Sequence, residues 1–98
     1  MQTITELIDI CHKIAKEHGW WSEPREDGTC VALMHSELSE ALEALRNNDS
    51  KEHVSEELAD CLIRIFDFCG QKEIDLETAL HKKIAFNRTR PYRHGKKF

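Results

Sequence analysis

The sequence predicts an all-α fold of four helices, on three observations. Apolar residues recur at three- and four-residue steps along most of the chain, nothing alternates with period two for long enough to make a strand, and short polar breaks separate the periodic stretches. Thr3 followed by Glu6 is a capping box, and Ile4, Leu7, Ile8, Cys11, Ile14 and Ala15 carry a first helix to His18-Gly19. Residues 19–28, GWWSEPREDG, mix Gly and Pro with no apolar period and read as a loop bearing Trp20 and Trp21. From Thr29 the stripe Val31, Met34, Leu38, Ala41, Leu42, Leu45 defines a second helix, which the polar run Asn47 to Ser50 ends. Ser50 is positioned as the next N-cap. The third helix places Val54, Leu58, Cys61, Leu62, Ile65 and Cys69 on one face and is expected to close at Gly70, because glycine readily takes the left-handed conformation that follows a helix. Asp75 opens a fourth helix through Leu76, Ala79, Leu80, Ile84 and Phe86, after which Pro91 and Gly95 argue against further helix in NRTRPYRHGKKF. The expected architecture is an antiparallel four-helix bundle, or a half-bundle completed by a second chain.

The 98 residues are read as one domain, 1–98. A chain of this size buries only roughly 60–70% of the surface its unfolded form exposes, so pairing of subunits is the default expectation. No apolar run reaches the roughly 18 residues of a membrane span, and MQTITELIDI has neither the basic start nor the apolar stretch of a signal peptide; a cytosolic protein without membrane contact is expected. Cys11, Cys30, Cys61 and Cys69 lack CxxC spacing and read as small reduced core residues, not zinc ligands.

The net charge of −4 conceals an asymmetry. Residues 1–81 hold all eighteen Asp and Glu against seven Lys and Arg, a net of −11, whereas residues 82–98 hold the other seven basic residues and no acid, +7. An acidic body with a basic tail suits a site that holds metal on one side and a polyanion on the other, and it disfavours nucleic acid, whose phosphates the body repels. A merely solvated tail is the plainer alternative.

The acids themselves are patterned. On a helical wheel started at Glu37, Leu38, Ala41 and Leu45 cluster on the apolar stripe and Glu40 falls at about 300°, at its border. The third helix repeats the layout: ELADCLIRI at 57–65 aligns with ELSEALEAL at 37–45, setting Glu57 on Glu37 and Asp60 on Glu40. Side chains at i and i+3 lie about 5–6 Å apart, close enough to share a cation. If the two helices pack through their stripes, Glu37, Glu40, Glu57 and Asp60 converge, and an all-carboxylate set calls for Mg²⁺ or Mn²⁺. A single Glu-x-x-Glu pair is ordinarily solvated surface; two pairs in one register beside the core point instead to metal. A ferritin-like di-iron site needs Glu-x-x-His motifs, which this chain lacks.

HSELSEALEALR at His35–Arg46, EELADCLIRIFDF at Glu56–Phe68 and KIAFNRTRPYRHGKK at Lys83–Lys97 together resemble the MazG-like all-α nucleotide pyrophosphohydrolases, over about two thirds of the chain. The resemblance implies Mg²⁺-dependent hydrolysis of a nucleoside triphosphate to the monophosphate and pyrophosphate. It implies Glu37, Glu40, Glu57 and Asp60 as metal ligands and Lys83, Asn87, Arg90 and, more loosely, Lys96 as phosphate contacts; in-line attack by a metal-activated water then makes Glu37 or Glu40 the expected acceptor of the water's proton. Members with a similar paired-tryptophan loop are associated with deoxynucleotides, so a dNTP is the expected substrate and Trp20 or Trp21 the expected base-stacking residue. Homodimers or homotetramers are likewise implied. Two other readings stand beside this one: a phosphoribosyl-ATP pyrophosphohydrolase of the same superfamily, and a non-catalytic helical module whose acidic face binds a basic partner.

Overall fold

The computed structural model describes residues 1–97 and consists of four α-helices: α1 (Ile4–Glu17), α2 (Asp27–Arg46), α3 (Lys51–Lys72) and α4 (Leu76–Arg88). A short 3-10 turn follows at Tyr92–Gly95. There is no strand among the described residues; Phe98, the last residue of the tail expected to be non-helical, lies outside them.

The caps form where the sequence places them. Thr3 and Glu6 close the capping box of α1, the Ser50 hydroxyl accepts from the His53 amide at 3.1 Å, and Asp75 accepts from the Thr78 amide at 3.1 Å. Each satisfies an amide that the first helical turn leaves without an intrahelical partner.

Three boundaries differ from expectation. Helix α2 begins at Asp27, two residues before Thr29, and α4 runs two residues past Phe86, to Arg88. Helix α3 does not close at Gly70 but continues to Lys72. Gly70 serves packing instead: a Cβ there would lie 2.6 Å from the Cβ of His12, so only glycine lets α1 and α3 approach this closely. The left-handed terminator is Glu73 (φ 55°, ψ 44°), whose amide donates back to the last turn.

Helices α2 and α3 pack along their length, α1 lies against α3, and α4 rests on α1, tied by the Thr5 amide donating to Glu77 Oε1 at 3.2 Å. Among the described residues the buried ones are small: Ala15, Cys30, Ala41, Ala44, Cys61 and Cys69, with Ile8 the one larger side chain. Burial pushes the thiols of Cys61 and Cys69 above their ordinary pKa, which keeps them protonated and unreactive. Met34, Val54 and Ile65 of the expected α2 and α3 stripes are half-buried, but the leucines of those stripes are not covered. Leu38, Leu42, Leu45, Leu58 and Leu62 remain 46–60% exposed, because the α2–α3 contact uses only the alanine and cysteine edge of each stripe. No residue of α4 is buried.

Candidate functional site

The α2–α3 contact positions the acids. Glu37 stands one turn before Ala41 and Glu57 one turn before Cys61, both of which are buried, so the two carboxylates lie at the helix–helix seam with side chains only 13% and 15% exposed. Glu40 lies one step further out. Glu37, Glu40 and Glu57 each offer an oxygen within 4.8 Å of the others. Asp60 is not one of these three; it lines an adjoining depression with Glu37, Trp20, Arg25 and Arg64.

Such crowding has electrostatic consequences. Hydrogen bonding to Glu57 and then Glu37, with repulsion from both, holds the Glu40 carboxyl above its ordinary range. Glu57 Oε2 is buried and has no hydrogen-bond partner among the described residues, a state that a carboxylate oxygen tolerates poorly without a cation or a donor. Two basic side chains reach the rim of the cluster. Arg64 Nε donates to Glu37 Oε1 at 2.8 Å, and His53 Nε2 lies 3.3 Å from Glu57 Oε1. The donor set fits a hard divalent cation: three carboxylates within one another's reach, one of them with an orphaned buried oxygen.

The tryptophans divide. Trp21 turns inward, its indole Nε1 donating to Asp67 Oδ1 at 2.8 Å; His12 Nδ1 meets the same oxygen at 2.8 Å, and the two rings make an edge contact. Trp20 is 54% exposed. Arg25 lies over both rings, at 5.6 Å from Trp20 and 5.5 Å from Trp21, and Arg64 lies 5.9 Å from Trp20. A half-exposed indole, with both guanidinium groups beside it, thus stands in the same depression as Asp60 and Glu37.

The tail residues have other surroundings. Lys83 and Arg90 lie over the Phe86 ring at 5.0 and 5.4 Å. Asn87 is exposed on the last turn of α4, and Lys96 lines a shallow basic depression with Arg93, His94 and Lys97. None of the four lines the depression that holds Glu37 and Asp60.

Four residues of the site went unmarked in the sequence: His12, Arg25, Arg64 and Asp67. Arg64 did carry a signal. The alignment of α2 on α3 sets Ala44 against Arg64, and Arg64 sits four residues after Asp60 and seven after Glu57, on the helix face that carries the acids. The pairing of Asp67 with His12 and Trp21 spans 55 and 46 residues and left no such trace.

Residues 25–94 match the family model described as the MazG nucleotide pyrophosphohydrolase domain. No curated protein and no solved structure matches the chain.

Proposed function

The chain belongs to the MazG nucleotide pyrophosphohydrolase domain family, and from that membership we propose that it hydrolyses a nucleoside triphosphate, a dNTP by preference, to the monophosphate and pyrophosphate. The observation that carries the reading is the convergence of Glu37, Glu40 and Glu57 with a buried, unpartnered oxygen on Glu57. Glu37, Glu40 and Glu57 would hold Mg²⁺, or Mn²⁺ in its place, with Asp60 as the fourth ligand at the open side. The ion supplies neutralisation of phosphate oxygens and a more acidic bound water.

The protein's own groups do the rest. Water attacks the α-phosphorus and pyrophosphate leaves in line. Glu37 or Glu40, each at the edge of the cluster that would hold the ion, is the candidate to accept the water's proton. Trp20 offers its exposed face to the base, while Trp21, fixed by Asp67, holds the loop that presents it. Lys83, Asn87, Arg90 and Lys96 hold the leaving pyrophosphate.

That last assignment is joined to assembly. The chain's surface is 7840 Å², whereas a folded monomer of 11.4 kDa exposes about 5,800 Å². Its radius of gyration is 15.8 Å, against about 13 Å for a closed domain of this length. The excess area and the exposed leucines of α2 and α3 fit a second copy of this chain, in a homodimer or a homotetramer, as the cover of that face. A basic tail that does not line the depression of Glu37 and Asp60 in its own chain suits a site completed across the subunit boundary.

Incubation with a panel of NTPs, dNTPs and phosphoribosyl-ATP, in Mg²⁺ and in EDTA, tests the reading by chromatography of the products. Monophosphate and pyrophosphate in equal amounts from a dNTP, abolished by EDTA, is the expected result. Diphosphate and orthophosphate, or turnover indifferent to EDTA, would contradict it.

A further inference from the structure

We propose that Arg64 is a built-in stand-in for the divalent cation: it occupies Glu37 while the metal is absent, and the metal's arrival frees it to bind the nucleotide's phosphate oxygens. The inference rests on the reading of the acidic cluster as the metal site. Three observations carry it. The guanidinium Nε donates to Glu37 Oε1 at 2.8 Å, so one member of the converging triad is engaged by a permanent cation. Arginine does not lose its charge at any accessible pH, so the pair is released by competition and not by titration. Finally, the side chain is 30% exposed and lines the depression shared with Trp20 and Asp60, where a substrate anion can reach it without a change of backbone.

The consequence is coupling between two ligands. A cation at Glu37 competes with Arg64 for the charge of one carboxylate and for its Oε1, which weakens metal binding to the nucleotide-free protein. The freed guanidinium then adds a bidentate donor to the phosphate site, which strengthens nucleotide binding in the presence of metal. By linkage each ligand raises the affinity for the other by the same factor. His53 lies 3.3 Å from Glu57 Oε1 and does not pair with Glu37, so it is no rival for the oxygen that Arg64 holds.

The test is calorimetric titration of Mn²⁺ into nucleotide-free protein, and of a non-hydrolysable α,β-methylene dNTP into protein saturated with Mg²⁺, for the wild type, Arg64→Gln and Arg64→Lys. Circular dichroism establishes that each variant is folded. Arg64→Gln is expected to bind Mn²⁺ about three- to tenfold more tightly than the wild type, because the competing cation is gone. The same variant is expected to bind the analogue about tenfold more weakly. Arg64→Lys, which keeps the charge, returns both constants toward the wild-type values. Unchanged or weaker Mn²⁺ binding by Arg64→Gln, in a protein whose wild type binds Mn²⁺, overturns the inference and leaves the metal site standing. Failure of the wild type itself to bind Mn²⁺ overturns the metal site, and the role of Arg64 with it.

Discussion

Glu40 and Gly70 show how far a single side chain, or its absence, decides matters in this protein. The Glu40 carboxyl is held above its ordinary value by Glu57 and Glu37. It therefore favours the folded state at acidic pH, and that contribution is lost as pH rises from the unfolded value of 4.5 through the raised one. Above that window the repulsion is present in full. Metal-free Glu40→Gln is thus expected to melt higher than the wild type at neutral pH, with the difference vanishing in acid; thermal melts in EDTA across the pH range measure it. Gly70→Ala is expected to destabilise by about 1–3 kcal/mol, since the nearest atom is the Cβ of His12 and only a shift of α1 relieves the clash. Trp20→Ala should weaken nucleotide binding by about 5- to 100-fold at little change in stability, the value of one stacked base. The nearness of Glu37, Glu40 and Glu57 was legible because the spacing is local to each helix, whereas the place of Asp60 outside that group was not. The inward turn of Trp21 was not, because its partner Asp67 is brought to it only by the packing of α1 and the loop on α3.

The starts of α1, α3 and α4 were legible at this scale because a cap is a local device, a side chain bonding an amide three residues on; α2, whose N-cap Glu26 makes no side-chain bond, began two residues earlier than expected. Ser50→Ala is expected to cost about 1 kcal/mol, read as a drop in urea midpoint at unchanged slope. The Asp75 carboxyl, bonded to Thr78, is held below its ordinary value. Its contribution is therefore present above pH 3.8 and lost as pH falls through the lowered value, and Asp75→Asn should flatten the acid limb of the stability curve. Helix ends were less legible. Gly70 looked like a terminator, yet its missing Cβ is required by a helix 58 residues earlier in the chain, at His12. The left-handed position went to Glu73, a residue with a Cβ. Glu73→Gly should accordingly stabilise by roughly 0.5–1 kcal/mol while Gly70→Ala does the reverse, a pair of outcomes that urea titration distinguishes.

For the whole molecule, the apolar stripes gave the helices and their class but not which part of each stripe one chain would cover. Ala41, Ala44 and Cys61 are buried within the chain, whereas Leu38, Leu42, Leu45, Leu58 and Leu62 are left open, a division that depends on helix placement and is invisible to periodicity. The same placement leaves the basic tail out of the depression that holds Glu37 and Asp60, although composition had set tail and acids side by side. With a second copy as the cover, Leu42→Lys combined with Leu62→Lys should yield monomers in sedimentation velocity and lower the melting temperature. An unchanged oligomer would move the interface elsewhere. On the proposed function, the converging carboxylates of α2 and α3 hold the ion that drives pyrophosphate release. This claim is tested most directly by the initial rate of pyrophosphate release from the preferred dNTP as Mg²⁺ is raised from zero, in the wild type and in Glu57→Gln. A saturable dependence on Mg²⁺ in the wild type, with at least about a hundredfold loss in the variant, is the predicted result; an equal rate in the two proteins, or a rate that does not depend on Mg²⁺, would contradict it.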